Sequence, residues 1–184
     1  MDDSVLKLNG YRARIEVDED FDSEMLGDRM GKFYTGRKAA DHGFPSDVVL
    51  YENSGGITQF DSSEFLYCSP VYGFSHSGLA ISLTPFSDPW DSAQIGYYAV
   101  SNSEAEAWFG KDYVRAQAEA QAEAEVAEIN EVLRGHVYYV VIEKQSDCGA
   151  ASHPDFELVD SIGGLVGYQH AFDEAHGLLQ AAAS

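Results

Sequence analysis

One short stretch of the sequence holds His76, Ser77, Asp91 and Ser92. Imidazole, carboxylate and hydroxyl together are the parts of a nucleophile-and-base site. His76, Asp91 and Ser92 are therefore the candidate catalytic residues, for a small hydrolase or transferase. The nucleophile-elbow pattern Gly-x-Ser-x-Gly is missing from the chain. The same residues also have a structural use. Ser77-Gly78 suits a tight turn, and Asp91 and Ser92 suit hydrogen bonds to loop backbone. That use is preferred, and the enzyme is kept as the alternative.

Other chemistries find less support. His42, His76, His136, His153, His170 and His176 are scattered. His170 and His176 bracket Asp173 and Glu174, but not at the i, i+4 spacing of a zinc helix, and they read as a solvated polar face. Gly163, Gly164 and Gly167 are followed by no Gly-Lys-Ser/Thr, so no nucleotide site is expected. The two cysteines, Cys68 and Cys148, form no Cys-x-x-Cys pair and read as free thiols of a cytoplasmic protein. No metal or other cofactor is expected. Trp90 and Trp108 read as core or loop-packing residues rather than binding anchors. If the loop around Trp90 is scaffold, then Pro85, Phe86, Pro89 and Trp90 are mostly buried.

The strongest signal is charge. The 184 residues carry 31 Asp and Glu against 11 Lys and Arg, a formal −20. A small domain stays soluble with an excess of about 2 to 8. Such a surface repels nucleic acid and anionic membrane and attracts basic proteins. The composition is 45% hydrophobic, so the acidity is not that of a disordered chain. Carboxylates at i and i+4, such as Glu119 and Glu123, have Cβ atoms roughly 6 Å apart, the order of the phosphate spacing along a strand of nucleic acid. The candidate partner-binding residues are Asp112, Glu119, Glu123, Glu128 and Glu131, with Asp18, Glu19, Asp20 and Asp22. A protein that is merely acidic is the competing reading.

These residues need elements to hold them. Tyr11 to Val17 alternates as a strand, followed by an acidic cluster from Glu16 through Asp18, Glu19, Asp20, Asp22 and Glu24 to Asp28. The basic stretch 31–43, with Lys32, Arg37 and Lys38, is expected to fold back on that cluster. Residues 48–51 are a short strand and 53–56 a turn. Residues 65–74 and 79–83 read as paired strands around the turn 75–78, and 95–100 as another strand. Ser101 and Glu104 are spaced as a capping box, and Gly110 interrupts the helix they start. From Asp112 to Arg134 the pattern is a long helix with Val114, Ala118, Ala122, Val126, Ile129 and Leu133 on one face and Asp112, Glu119, Glu123, Glu128 and Glu131 on the other. Residues 137–143 form a strong strand, 156–159 a weaker one, and 172–183 a terminal helix. The fold class is α+β, a mostly antiparallel sheet with one long acidic helix and a C-terminal helix. One domain is expected over 1–184, with an acidic N-terminal region 1–60 and the sheet and helices of 61–184. No apolar run approaches the roughly 18 residues of a membrane span, and MDDSVLKLNG, with no basic region ahead of an apolar stretch, is not expected to be a signal peptide.

The segment from His76 to Ser101 carries a longer ordered string: His76-Ser77-Gly78, Pro85-Phe86, Pro89-Trp90-Asp91-Ser92, Gln94 and Gly96. Gly135, Val137 and Tyr138 follow, then Asp160, Ser161 and Gly163. This pattern resembles a family of phage and mobile-element proteins with no established activity, and it runs from His76 to the end of the chain. Members often carry Cys before Pro-Trp and Cys after Asp-Ser. Here those positions are Asp88 and Ile162, so if relatives build a thiol pair or metal site there, this chain has lost it. The resemblance implies a phage or plasmid origin, and that setting an anti-defence role. The leading reading is a non-enzymatic phage-type inhibitor in the bacterial cytoplasm. It would bind a basic, nucleic-acid-handling host defence protein (CRISPR effector or restriction enzyme) as a DNA mimic. An acidic accessory protein without a partner is a third reading.

Overall fold

Apolar-polar alternation along YRARIEV and VYYVVIEKQ, and a capping box ahead of an alanine-rich run, set the local structure before tertiary contacts are made. The computed structural model describes residues 4–21, 28–53, 56–57, 60–146 and 155–184. In chain order the strands are β1 (Val5–Leu8), β2 (Tyr11–Val17), β3 (Lys32–Gly36), β4 (Val48–Leu50), β5 (Glu52–Asn53), β6 (Gly56–Ile57), β7 (Tyr67–Ser75), β8 (Leu79–Ser82), β9 (Ser92–Val100), β10 (Val137–Gln145) and β11 (Phe156–Val166). The helices are α1 (Arg37–Asp41), α2 (Asn102–Phe109), α3 (Arg115–Leu133) and α4 (Tyr168–Ala182). The fold is α+β, with two mostly antiparallel sheets, a 19-residue α3 and the C-terminal α4. No described helix is long and apolar enough to cross a membrane. The chain divides into two compact units, residues 1–26 with 135–184, and residues 27–134. Asp22, Glu24, Cys148, His153 and part of the turn at 53–56 lie outside the described residues.

In the first unit the sheet runs β1-β2-β10-β11, antiparallel throughout. The β2–β10 register sets Ala13 opposite Ile142 and Ile15 opposite Val140. Period-2 alternation then turns all four to one face, where they are buried with Ala171, Ala175 and Leu179 of α4. Alanines at i and i+4 let the helix sit close to the sheet, and each fully buried Val or Ile there contributes about 1.5–3 kcal/mol. Between them β2 and β10 turn the charged residues the other way. Glu143 accepts from Arg12 Nε at 2.7 Å and Arg14 Nε at 3.0 Å, and Arg12 lies 3.5 Å over the Phe156 ring. Burial would raise the Glu143 carboxyl, but the two guanidinium hydrogen bonds outweigh it and hold the group below its ordinary range. Strand β11 runs on to Val166, well past the expected 159. Its residues are mostly exposed on an edge, so no alternation marks them, and Asp160, Ser161 and two glycines are poor strand formers that pairing with β10 overrides. Helix α4 starts at Tyr168, after Gly167 at φ 84°.

In the second unit the sheet order is β4-β3-β9-β7-β8, antiparallel except for the β3–β4 pair. Part of the basic stretch is strand β3, whose Lys32 pairs with Glu104 at 3.2 Å. Tyr98, fully buried on β9, meets Phe33 edge-on at 5.1 Å between ring centroids. Gly31 leaves the space that this ring fills, since a Cβ there would overlap Tyr98. The capping box of α2 is formed. Glu104 N donates to Ser101 Oγ at 3.2 Å, and Ser101 N to Glu104 Oε2 at 2.7 Å.

Helix α3 buries Ala118, Ala122, Glu125, Val126 and Ile129. Glu125 is only 4% exposed. It accepts from Met30 N at 2.8 Å, Tyr98 OH at 2.5 Å and Gln121 Nε2 at 3.1 Å. Burial first, and then that hydrogen bond, push the Tyr98 phenol far above its ordinary value, so it remains a donor. Four residues on from Val126, Asn130 donates from Nδ2 to Ile81 O at 2.9 Å and accepts from Ile81 N at 2.8 Å. The helix is thus tied to the sheet at Tyr98 and at β8.

Candidate functional site

The turn between β7 and β8 and the loop before β9 bring His76 and Asp91 together, with Nδ1 to Oδ2 at 2.9 Å. They are 69% and 37% exposed, so water screens the pair. Ser92 is not free to act with them, because its hydroxyl donates to the Asp88 carbonyl. Asp88 Oδ1 accepts from Trp90 N at 2.8 Å and from Asp91 N at 3.4 Å, and Ser75 N donates to Asp91 O at 2.9 Å. The expected bonding to loop backbone is therefore present for Ser92 but not for the Asp91 carboxylate, which meets His76 instead, while Asp88 supplies the other side-chain bonds to backbone. Sequence reasoning missed a second pair. His42 Nε2 lies 3.0 Å from Ser75 Oγ, contributed by segments 33 residues apart, a separation no local motif reveals. One pair has imidazole and carboxylate, the other imidazole and hydroxyl, and neither has all three. A cleft of about 630 Å³ in this unit is lined by Arg37, Lys38, Asp41 and residues 49–52, none of them a sequence candidate.

The loop overturns the expected burial. Trp90 is 92% exposed, Pro85 and Pro89 are exposed, and Phe86 is half-buried against Phe74 at 5.6 Å between centroids. Trp108, on α2, is 43% exposed. Neither tryptophan is a core residue. The loop satisfies its polar groups internally and does not need the indole for packing.

The acidic candidates divide. Glu119, Glu123 and Glu128 are exposed on α3, and none of them is in an ion pair among the described residues. Glu131 is half-exposed and bonded to Arg134 at 2.9 Å. Asp112 is exposed but precedes the helix, which begins at Arg115. Val114 is the N-cap residue, its N–H donating to Gln117 Oε1 at 2.8 Å, and it is exposed rather than on the buried face. At 3.6 residues per turn, Glu128 lies roughly 140° round the helix from Glu123. The acids therefore flank an exposed ridge of Ala120, Ala124 and Ala127 instead of forming a single row. Glu125 is the acid that sequence analysis passed over. Its place in the Ala118-Ala122-Ile129 stripe was the available signal.

In the first unit Asp18 is half-buried, its N–H donating to Val137 O at 2.8 Å and its Oδ2 accepting from Gly164 N at 3.3 Å. Glu19 and Asp20 are exposed. Among the described residues no three His, Cys, Asp or Glu converge as a metal site. His170 and His176 are exposed on α4. Burial pushes the Cys68 thiol above its usual range. Comparison with known proteins finds no matching family model, no similar curated protein and no similar solved structure.

Proposed function

We propose that this chain inhibits a basic, nucleic-acid-handling protein of a bacterial defence system, a CRISPR effector or restriction enzyme, by setting carboxylates where that protein binds phosphates. The observation that carries this is α3: Glu119, Glu123 and Glu128 stand exposed, in no ion pair among the described residues, on a helix tied down at Glu125 and Asn130. Proteins that bind nucleic acid draw much of their affinity from Lys and Arg contacts to phosphate. A rigid acidic helix competes for those side chains without reordering itself, and the formal −20 steers the encounter. The place of action would be the cytoplasm of the host.

The test is phage plating on cells that carry defined restriction or CRISPR systems and express the protein. Wild type restores plating against at least one system, and Glu119→Lys, Glu123→Lys, Glu128→Lys together abolish the effect while the melting temperature holds. Equal inhibition by the reversed protein refutes the mechanism, and no inhibition of any system refutes the function.

The His76–Asp91 contact at 2.9 Å favours a second reading, a hydrolase or transferase acting through that pair. His76→Ala abolishes activity in that case and leaves inhibition by charge unchanged.

A further inference from the structure

We propose that Trp90 is the apolar anchor of a protein–protein interface, seating in an apolar pocket on the partner whose rim carries Lys and Arg. A tryptophan buries roughly 150–250 Å² when it packs, yet this one is 92% exposed. The loop that carries it is not slack. Trp90 N is held by Asp88 Oδ1 at 2.8 Å, the Ser92 hydroxyl closes on the Asp88 carbonyl, and Asp91 is clamped by Ser75 N at 2.9 Å and by His76 at 2.9 Å. The backbone on both sides of the indole is thus fixed before any partner arrives. That removes much of the ordering entropy an interface loop otherwise loses on binding. Tryptophan is also among the residues most enriched at the centres of interfaces, where a few side chains supply most of the affinity.

The chemistry of the rim follows from charge. Residues 84–96 contain no Lys or Arg, Asp88 and Asp91 flank the indole, and the whole chain carries −20. A partner surface approaching this loop is favoured if it is basic, and a guanidinium can lie over the exposed face of the ring. Only the sign of the rim rests on the acidic-inhibitor reading. The anchor itself rests on the exposure and bracing of Trp90.

The experiment places a benzophenone amino acid at position 90, and separately at 108, in the full chain expressed in a bacterium that carries restriction and CRISPR systems. Adducts are mapped to peptides, and the purified partner is titrated with wild type, Trp90→Ala, Trp90→Phe and the α3 charge reversal. The expected result has adducts from position 90, not 108, converging on one apolar pocket edged with Lys and Arg. Trp90→Ala then weakens binding by ~30-fold or more, the hot-spot threshold, Trp90→Phe recovers part of it, and neither variant moves the melting temperature. Missing or scattered adducts overturn the proposal, as does a change within about a factor of two for Trp90→Ala, the range of an ordinary surface substitution. A blue shift of Trp90 emission on anionic vesicles, read in a Trp108→Phe background, also overturns it by assigning the indole to a membrane. Loss of binding on charge reversal with Trp90→Ala silent leaves the inhibitor reading standing and removes the anchor. The opposite pattern does the reverse.

Discussion

Replacing Glu125 tests whether α3 is held by a buried carboxylate rather than by its alanines. The side chain is 4% exposed and satisfies three donors at once, Met30 N, Tyr98 OH and Gln121 Nε2. Gln121 is only half-buried and can turn to water, but Met30 and Tyr98 are buried. Glu125→Ala therefore strands two buried donors, each at about 1–3 kcal/mol. The two donors together cost roughly 2–6 kcal/mol, and the cavity left behind adds to that. That approaches the whole stability of a small domain, about 5–15 kcal/mol. Glu125→Gln keeps the volume and an acceptor for Met30 N and costs less. The assay is urea unfolding followed by far-ultraviolet circular dichroism, with a double-mutant cycle against Tyr98→Phe. Once Glu125 is gone, Tyr98→Phe removes a stranded hydroxyl and regains stability, whereas alone it loses stability. A Glu125→Ala cost below about 1 kcal/mol, or additive effects in the cycle, refutes the account.

Glu143 gives a pH prediction. Its carboxyl is depressed in the folded protein by the bonds from Arg12 and Arg14, against a desolvation that works the other way. A depressed carboxyl contributes stability above its unfolded value of about 4.3 and loses it as pH falls through the folded value. The first unit therefore weakens below about pH 4.3, and Glu143→Gln flattens that part of a melting-temperature profile. Gly31→Ala pushes a methyl into the Tyr98 ring and lowers stability by about 1–3 kcal/mol, read as a shift of the urea midpoint at constant slope.

What the sequence made legible was what local physics controls. The alternation in β2 and β10, the Ser101–Glu104 box and the alanine-rich helix all depend on neighbours in the chain, and all formed. What it hid depends on distant partners. β11 is a strand because β10 pairs with it, since Gly163, Gly164 and Asp160 would not choose that state alone. His42 meets Ser75 only because α1 and the end of β7 converge. Trp90 was misjudged because a large aromatic is normally a packing residue. The reason it stays outside is polar, the set of bonds around Asp88 that completes the loop without it. Glu125 was passed over because an acid in an alanine stripe does not stand out as a core residue until its distant partners Met30 and Tyr98 are in place.

The order of the chain adds a consequence in time. The first unit takes strands from both ends of the sequence, with residues 27–134 lying between them. Arg12 and its partner Glu143 are 131 residues apart. A ribosome adding about 5–20 residues per second reaches Glu143 roughly 7–26 s after Arg12. For that interval β1 and β2 have neither β10 nor α4, and Ala13 and Ile15 have nothing to bury against. The second unit, residues 27–134, is complete in the growing chain before β10 and α4 are made. Residues 18–20, all acidic, directly follow the waiting strand and repel other nascent copies. The same negative charge that is proposed to engage a target would then guard the half-made sheet during synthesis.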